Sequence, residues 1–141
     1  MTPPKGRILC TEDDEDTRDL LVISLKLAGY EAICTDTAEK ALALIKTEEF
    51  DLCLLDNWMP GLSGEDLCKM IREFNSKIPI LFYSGAAYEA DKERAMAAGA
   101  QGYLVKPVMD NKLIAEVERI IAESKVVAPV AVVPPGPTTL I

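Results

Sequence analysis

Asp56 closes the apolar run Leu52-Cys53-Leu54-Leu55, which has the composition of a buried strand, and Asn57-Trp58-Met59-Pro60-Gly61 then breaks that strand into a loop. A carboxylate is thereby expected at the carboxyl end of a strand. A second apolar run, Ile8-Leu9-Cys10-Thr11, is followed directly by Glu12, Asp13 and Asp14. If the two acid-tipped strands lie side by side, their tips form one anionic pocket. Carboxylates about 4 Å apart repel by roughly 4 kcal/mol at an effective dielectric near 20, so such a pocket calls for a compensating cation. Mg2+ suits it, because that ion takes hard oxygen ligands and keeps several of its waters.

Two further strand ends carry complementary groups. Ser84 follows Ile80-Leu81-Phe82-Tyr83, and Lys106 follows Tyr103-Leu104-Val105. Transfer of a phosphoryl group asks mainly for positioning and for neutralisation of charge on its oxygens. Mg2+, Lys106 and Ser84 could surround such a group while Asp56 acts as a carboxylate nucleophile. Each residue alone has an ordinary explanation: a lysine at a strand end is usually a solvated charge, and a serine there often caps a helix or shapes a turn. Acids after a strand suit the first turn of a helix, which fits Asp14 and Glu15 best. Four strand tips that each carry the needed group are not explained by those separate causes.

The elements that must position these groups alternate along the chain. Strand-like runs recur at Ile8 to Thr11, Glu31 to Thr35, Asp51 to Leu55, Ile78 to Tyr83 and Gly102 to Val105, with helical patterns between them. The first helix opens on Glu15 and Asp16, places Leu21, Leu25 and Ala28 on one face and ends at Gly29. Thr37 can cap the second, with Ala41, Leu44 and Ile45 inward. Ser63 and Asp66 have capping-box spacing for the third, whose inner face is expected to be Leu67, Met70, Ile71 and Phe74. The fourth runs to Ala98 and stops at Gly99. The fifth has Asp110 as cap and Leu113, Val117, Ile120 and Ile121 in register. This alternation predicts an α/β fold, a doubly wound five-stranded parallel sheet in the order 2-1-3-4-5, a flavodoxin-like (βα)5 arrangement. In that order strands one and three meet at the topological switch point, where Glu12, Asp13 and Asp56 would converge.

The whole chain of 141 residues fits one domain, with residues 1–6 as an N-terminal extension, 7–125 as the domain and 126–141 as a Pro-rich flexible tail. Its 23 acidic and 15 basic residues give a net charge of -8, which argues against nucleic-acid and anionic membrane surfaces and for protein partners. Met1 to Arg7 lacks the apolar core of a signal peptide and no run approaches a membrane span, so a cytoplasmic location is expected. Cys10, Cys34, Cys53 and Cys68 show no CxxC spacing and read as reduced packing residues. The chain contains no histidine, which removes Ser-His and Cys-His nucleophile pairs and any role as a phosphohistidine donor.

Over Arg7 to Ser124 the sequence resembles the receiver domain of two-component response regulators. The resemblance rests on Ile8-Leu9-Cys10-Thr11-Glu12-Asp13-Asp14, on Asp56-Asn57-Trp58-Met59-Pro60-Gly61-Leu62-Ser63-Gly64, on Ser84-Gly85 and on Gly102-Tyr103-Leu104-Val105-Lys106-Pro107. It implies that Asp56 accepts phosphate from a phosphohistidine of a sensor histidine kinase or phosphotransfer protein. It implies Mg2+ held by Asp13 directly, by Glu12 through water, by Asp56 and by the Trp58 backbone carbonyl. Ser84 would be the switch hydroxyl, Tyr103 the switch aromatic, Lys106 the phosphate-binding lysine and Lys106-Pro107 a cis peptide. A downstream protein would read the fourth helix, fifth strand and fifth helix. Such a chain is no enzyme apart from catalysing its own phosphorylation and dephosphorylation, and it is either a stand-alone regulator or a receiver cut from a longer protein. Trp58 is bulkier than many residues found at its position, and Ser84 stands where threonine is also common.

Three other readings compete. Haloacid-dehalogenase-like phosphatases also use an aspartate nucleophile with Mg2+, but they place a second acid two residues later, where this chain has Trp58. An FMN carrier of the same architecture wants a Gly/Ser/Thr phosphate loop after the first strand, and Glu12-Asp13-Asp14 would repel phosphate. A degenerate receiver that only binds proteins would have no need of the intact acids, Ser84 and Lys106.

Overall fold

The computed structural model describes residues 3–130, with side chains through 125. Its elements in chain order are β1 (Arg7–Thr11), α1 (Glu15–Leu27), β2 (Glu31–Thr35), α2 (Ala38–Thr47), β3 (Leu52–Leu55), α3 (Gly64–Phe74), β4 (Ile80–Ser84), α4 (Glu89–Ala98), β5 (Gly102–Val105) and α5 (Asp110–Val130). All four strand pairings are parallel and the sheet order is β2-β1-β3-β4-β5, as the alternation predicts. Side chains alternate between its faces. Leu9, Cys53, Leu55, Ile80 and Phe82 pack under α2, α3 and α4, while Ile8, Cys10, Leu52, Leu54, Leu81 and Leu104 pack under α1 and α5. Helices on both faces are why the central strands are apolar almost throughout.

Local chemistry sets the helix ends. Asp14 caps α1 by accepting from Thr17 N, Thr37 caps α2 by accepting from Lys40 N, and Ser63 with Asp66 forms the capping box of α3. Gly29 follows the Ala28 cap at φ 100°, and Gly99 ends α4 at φ 116°, both in the left-handed region that favours glycine.

Several boundaries differ from the sequence reading. Lys5 and Gly6, assigned to the extension, are hydrogen-bonded to the domain through Lys5 N to Gly29 O and Glu31 N to Gly6 O. Asp110 is the first residue of α5 rather than its cap, and its carboxylate accepts from Ser24 Oγ at 3.1 Å. On α3, Phe74 is largely solvent-facing and Cys68 is buried in its stead, because Leu67, Cys68 and Ile71 fall on one side of the helix. The expected tail began at residue 126, whereas α5 continues to Val130. A proline this close to a helix end disturbs only the last turn. Residues 131–141 of that tail lie outside the described residues.

All four cysteines are free thiols. Burial pushes Cys53 up to about 12 and Cys68 up to about 11, so both are neutral packing groups near pH 7.

The amphipathic split of α1 is directly measurable. Leu25 is wholly buried and Leu27 is 85% exposed. Leu25→Ala should lower the unfolding free energy by about 2–5 kcal/mol, while Leu27→Ala should stay within about 0.5 kcal/mol, as read from urea denaturation.

Candidate functional site

Thr11 pairs with Leu55 across β1 and β3, so the next residue on each strand, Glu12 and Asp56, emerges beside the other. Glu12, Asp13 and Asp56 each bring a carboxylate oxygen within 4.8 Å of the others. Glu12 and Asp56 are 2% and 5% exposed, whereas Asp13 faces solvent. The sequence reading sought a cation for this cluster, and the fold already supplies one. Lys106 reaches over from the end of β5, places its ammonium 3.0 Å from Asp56 Oδ2 and also donates to Glu12 Oε1. The same ammonium lies 5.6 Å from the centre of the Tyr83 ring. The Lys106-Pro107 bond is cis, as the resemblance implies.

Burial dominates at Glu12 and raises its pKa above the ordinary glutamate value, against bonds from Lys106 and from the Asp14 N–H that act the other way. Burial also works against the charge on Lys106, but Glu12 and Asp56 together outweigh it and hold the lysine pKa above its usual value. Three carboxylates face one ammonium, and the excess is negative. An all-oxygen, carboxylate-rich donor set with residual negative charge fits a hard divalent ion.

Ser84 ends β4, and Tyr103 lies within the adjacent β5, paired with Phe82. Leu55 pairs with Phe82 and Ser84 with Val105, which puts Ser84 between the strand of Asp56 and that of Lys106. Ser84 is fully buried, and its Oγ accepts from Ala86 N at 3.2 Å. Tyr103 donates its hydroxyl to Ala86 O at 2.6 Å, and its ring stacks on Phe82 at 5.6 Å. The ring of this tyrosine does not stand free in solvent. Stacking and the Ala86 bond instead hold it half-buried. Trp58 is 62% exposed, with its backbone N–H donating to Asp56 Oδ1 at 3.1 Å.

Three supporting residues escaped the sequence reading. Arg18 donates from α1 to the carbonyls of Glu12 and Asp13, at 2.9 and 3.4 Å, and so clamps the acidic loop by its backbone. The buried Asn57 accepts from Glu65 N at 3.0 Å through its side chain, joining the Asp56 loop to the start of α3. Gly64 opens α3 so close to that loop that a Cβ would lie 2.3 Å from the Asp56 carbonyl oxygen. A basic residue one turn into the first helix and a glycine after a capping serine were the available signals.

With the geometry in view, comparison with known proteins settles the family. Residues 8–118 match the response regulator receiver domain. The transcriptional regulatory protein YrkP of Bacillus subtilis is 42% identical over 111 residues, covering 79% of this chain and 47% of that protein. The cell cycle transcriptional regulator CtrA of Caulobacter vibrioides is 33% identical over 119 residues, covering 84% of this chain and 52% of that protein. Among solved structures, a CheY-like receiver domain protein from Methanospirillum hungatei superposes with a TM-score of 0.82 at 27% identity, covering 88% of this chain and 98% of that one. TrrA from Thermotoga maritima, solved in complex with Mg2+ and BeF, gives 0.74 at 30% identity, covering 81% and 97%. The chain belongs to the response regulator receiver family, and it is a phosphorylation-controlled signalling switch. It spans about half the length of the curated relatives it matches.

The contact at Gly64 reverses the usual sign of a glycine substitution. In an open helix Gly→Ala would gain up to about 1 kcal/mol. Here Gly64→Ala must push α3 away from the Asp56 carbonyl, and chemical denaturation should show a loss of about 1–3 kcal/mol.

Proposed function

We propose that Asp56 accepts a phosphoryl group from a phosphohistidine of a sensor histidine kinase or phosphotransfer protein, with Mg2+ held by Glu12, Asp13, Asp56 and the Trp58 backbone carbonyl. The observation that carries this reading is the Lys106 ammonium seated on Asp56 within the acid cluster. A carboxylate oxygen of Asp56 attacks phosphorus, an O–P bond forms as the P–N bond breaks, and the imidazole leaves with the donor. Mg2+, when bound, supplies positive charge to the phosphoryl oxygens. Lys106 then exchanges its bond to Asp56 Oδ2 for one to a phosphoryl oxygen and remains charged throughout. The chain would catalyse this transfer and the later hydrolysis, in which water attacks the phosphoryl group, the O–P bond to Asp56 breaks and inorganic phosphate leaves. A sensor kinase as donor places the exchange in the cytoplasm.

Output follows from the hydrogen bonds around Ala86. Ser84 Oγ holds Ala86 N, and Ala86 O holds Tyr103. When the Ser84 side chain moves to donate its hydroxyl to a phosphoryl oxygen, its Oγ leaves the reach of Ala86 N–H, and the freed loop carries the Tyr103 acceptor with it. The surface that changes is α4, β5 and α5, where Tyr88 and Met96 are exposed at α4, and a downstream protein target would bind there.

Acetyl phosphate with Mg2+ should modify Asp56, as read by mass spectrometry of the trapped acyl phosphate. Modification that persists in Asp56→Asn, or after thorough chelation, would refute the assignment. Ser84→Ala should remain a phosphoacceptor yet lose most of the amide NMR shift change on α4 and β5; shifts as large as in the parent chain would break the proposed coupling.

Mg2+ at a hundredfold excess over its dissociation constant should stabilise the fold by about 2.7 kcal/mol, read from thermal unfolding. Binding can be followed by the fluorescence of Trp58, the sole tryptophan. Asp13→Ala should abolish most of that stabilisation and leave the metal-free chain at least as stable, since Lys106 pairs with Glu12 and Asp56 and not with Asp13. A metal-free variant clearly less stable than the parent would show that Asp13 has a structural partner instead.

A further inference from the structure

Two cysteines face each other across β1 and β2, far from any role in the phosphoryl pocket. Cys10 and Cys34 are register partners in this parallel pair. Partners in register project from the same side of a sheet, and both thiols here pack into the cluster beneath α1 and α5. Neighbouring strands run about 4.8 Å apart, inside the Cα separation of about 4.4–6.8 Å that disulfides span. The other two cysteines cannot compete, because Cys53 and Cys68 lie in the cluster on the opposite face of the sheet.

The two thiols differ in access. Cys10 is wholly buried, whereas Cys34 is only partly buried on β2, the edge strand of the sheet. We propose that Cys10 and Cys34 form a redox-active pair that hydrogen peroxide closes into an intramolecular disulfide. The Cys34 sulfur attacks a peroxide oxygen, the O–O bond breaks, one water leaves and Cys34 becomes a sulfenic acid. The Cys10 sulfur then attacks the Cys34 sulfur, an S–S bond forms, the S–OH bond breaks and the hydroxide departs as water with the Cys10 proton. Two electrons pass from the thiol pair to the peroxide. A bond between directly opposed residues of adjacent strands leaves little freedom to relax, and strained disulfides are the readily reduced ones. Its position also matters. Cys10 lies two residues before Glu12, and Cys34 precedes Thr35, whose carbonyl accepts from Glu12 N at 2.9 Å, so the disulfide would brace both strands that hold the acidic loop.

The test treats the full chain with hydrogen peroxide, quenches it, unfolds it and alkylates the remaining thiols. Two of the four thiols should be lost, the intact mass should fall by two hydrogens, and peptide mapping should join Cys10 to Cys34. Dithiothreitol should restore all four. Cys34→Ser, a change at the sheet edge, should keep its three remaining thiols reactive, and Cys10→Ser should halt at a Cys34 sulfenic acid that dimedone traps. Persistence of all four thiols, over-oxidation of Cys34 beside a free Cys10, or a Cys34 cross-link between two chains would each overturn the proposal. Mapping of the parent chain decides the matter even if the Cys10 variant does not fold. None of these readouts depends on phosphorylation of Asp56.

Discussion

Lys106 stands between the Asp56 and Glu12 carboxylates with its ammonium partly withdrawn from water, and the geometry of the pocket follows from that ion pair. Two carboxylates at neighbouring strand ends would otherwise repel in a site from which both are almost excluded from solvent. A lysine arriving from β5, two strands beyond β3, lowers that cost without filling the pocket. Its ammonium pairs with Glu12 and Asp56 and not with Asp13, and it leaves the cluster net negative, a charge balance that fits a hard divalent ion.

Bringing those groups together requires the particular order of the sheet. With β1 and β3 adjacent, residues 44 apart in the chain emerge side by side, and β4 and β5 add Ser84 and Lys106 along the same edge. The strands are buried on both faces, so a shift of register by one residue would move Leu54 and Leu81 away from α1 and α5 and expose the sheet to the wrong helices. Packing of the core therefore also fixes the distance between the functional carboxylates. The loops are held from below as well, by Arg18 on the carbonyls of Glu12 and Asp13 and by Asn57 on α3.

Much of this was legible in the sequence because it is local or periodic. Strand runs ending in acid, the Thr37 and Ser63 caps and the glycines after α1 and α4 are each written in a few consecutive residues. What escaped depends on partners distant in the chain. Whether Lys106 is solvated or seated on Asp56 cannot be read from the residues around Lys106. Arg18 looks like any helical surface charge until the acidic loop folds over it. Gly64 looks like a loop residue until the Asp56 carbonyl arrives beside it. The misplacement of Phe74 has a different origin: apolar residues sit at both Cys68 and Phe74, and the sharper turn of burial on α3 follows the sheet rather than the composition of the helix. The composition from residue 126 onward suggests a tail, yet α5 runs on to Val130, because a helix already propagating from Asp110 carries its last turn into the proline-containing segment.

The inward position of Tyr103 bears on how a switch of this kind can work. A ring stacked on Phe82 and bonded to the Ala86 carbonyl is already partly withdrawn from solvent, which leaves less room for a movement from solvent to core. In the proposed switching scheme the element that differs between states is the Ala86 segment, whose N–H and C=O are held by Ser84 and Tyr103. A ligand shifts a two-state equilibrium only by its differential affinity for the two states, so in the proposed scheme the free energy available for output is what the Ser84 O–H gains on donating to a phosphoryl oxygen, less the Ala86 N–H bond given up as Oγ moves away. A bond to a charged acceptor is roughly twice as strong as one between neutral groups, which sets the gain at about 1–2 kcal/mol and the population shift at about tenfold. In the proposed scheme a larger response would come from a protein partner, through contacts with the exposed Tyr88 and Met96 that form in only one of the two arrangements.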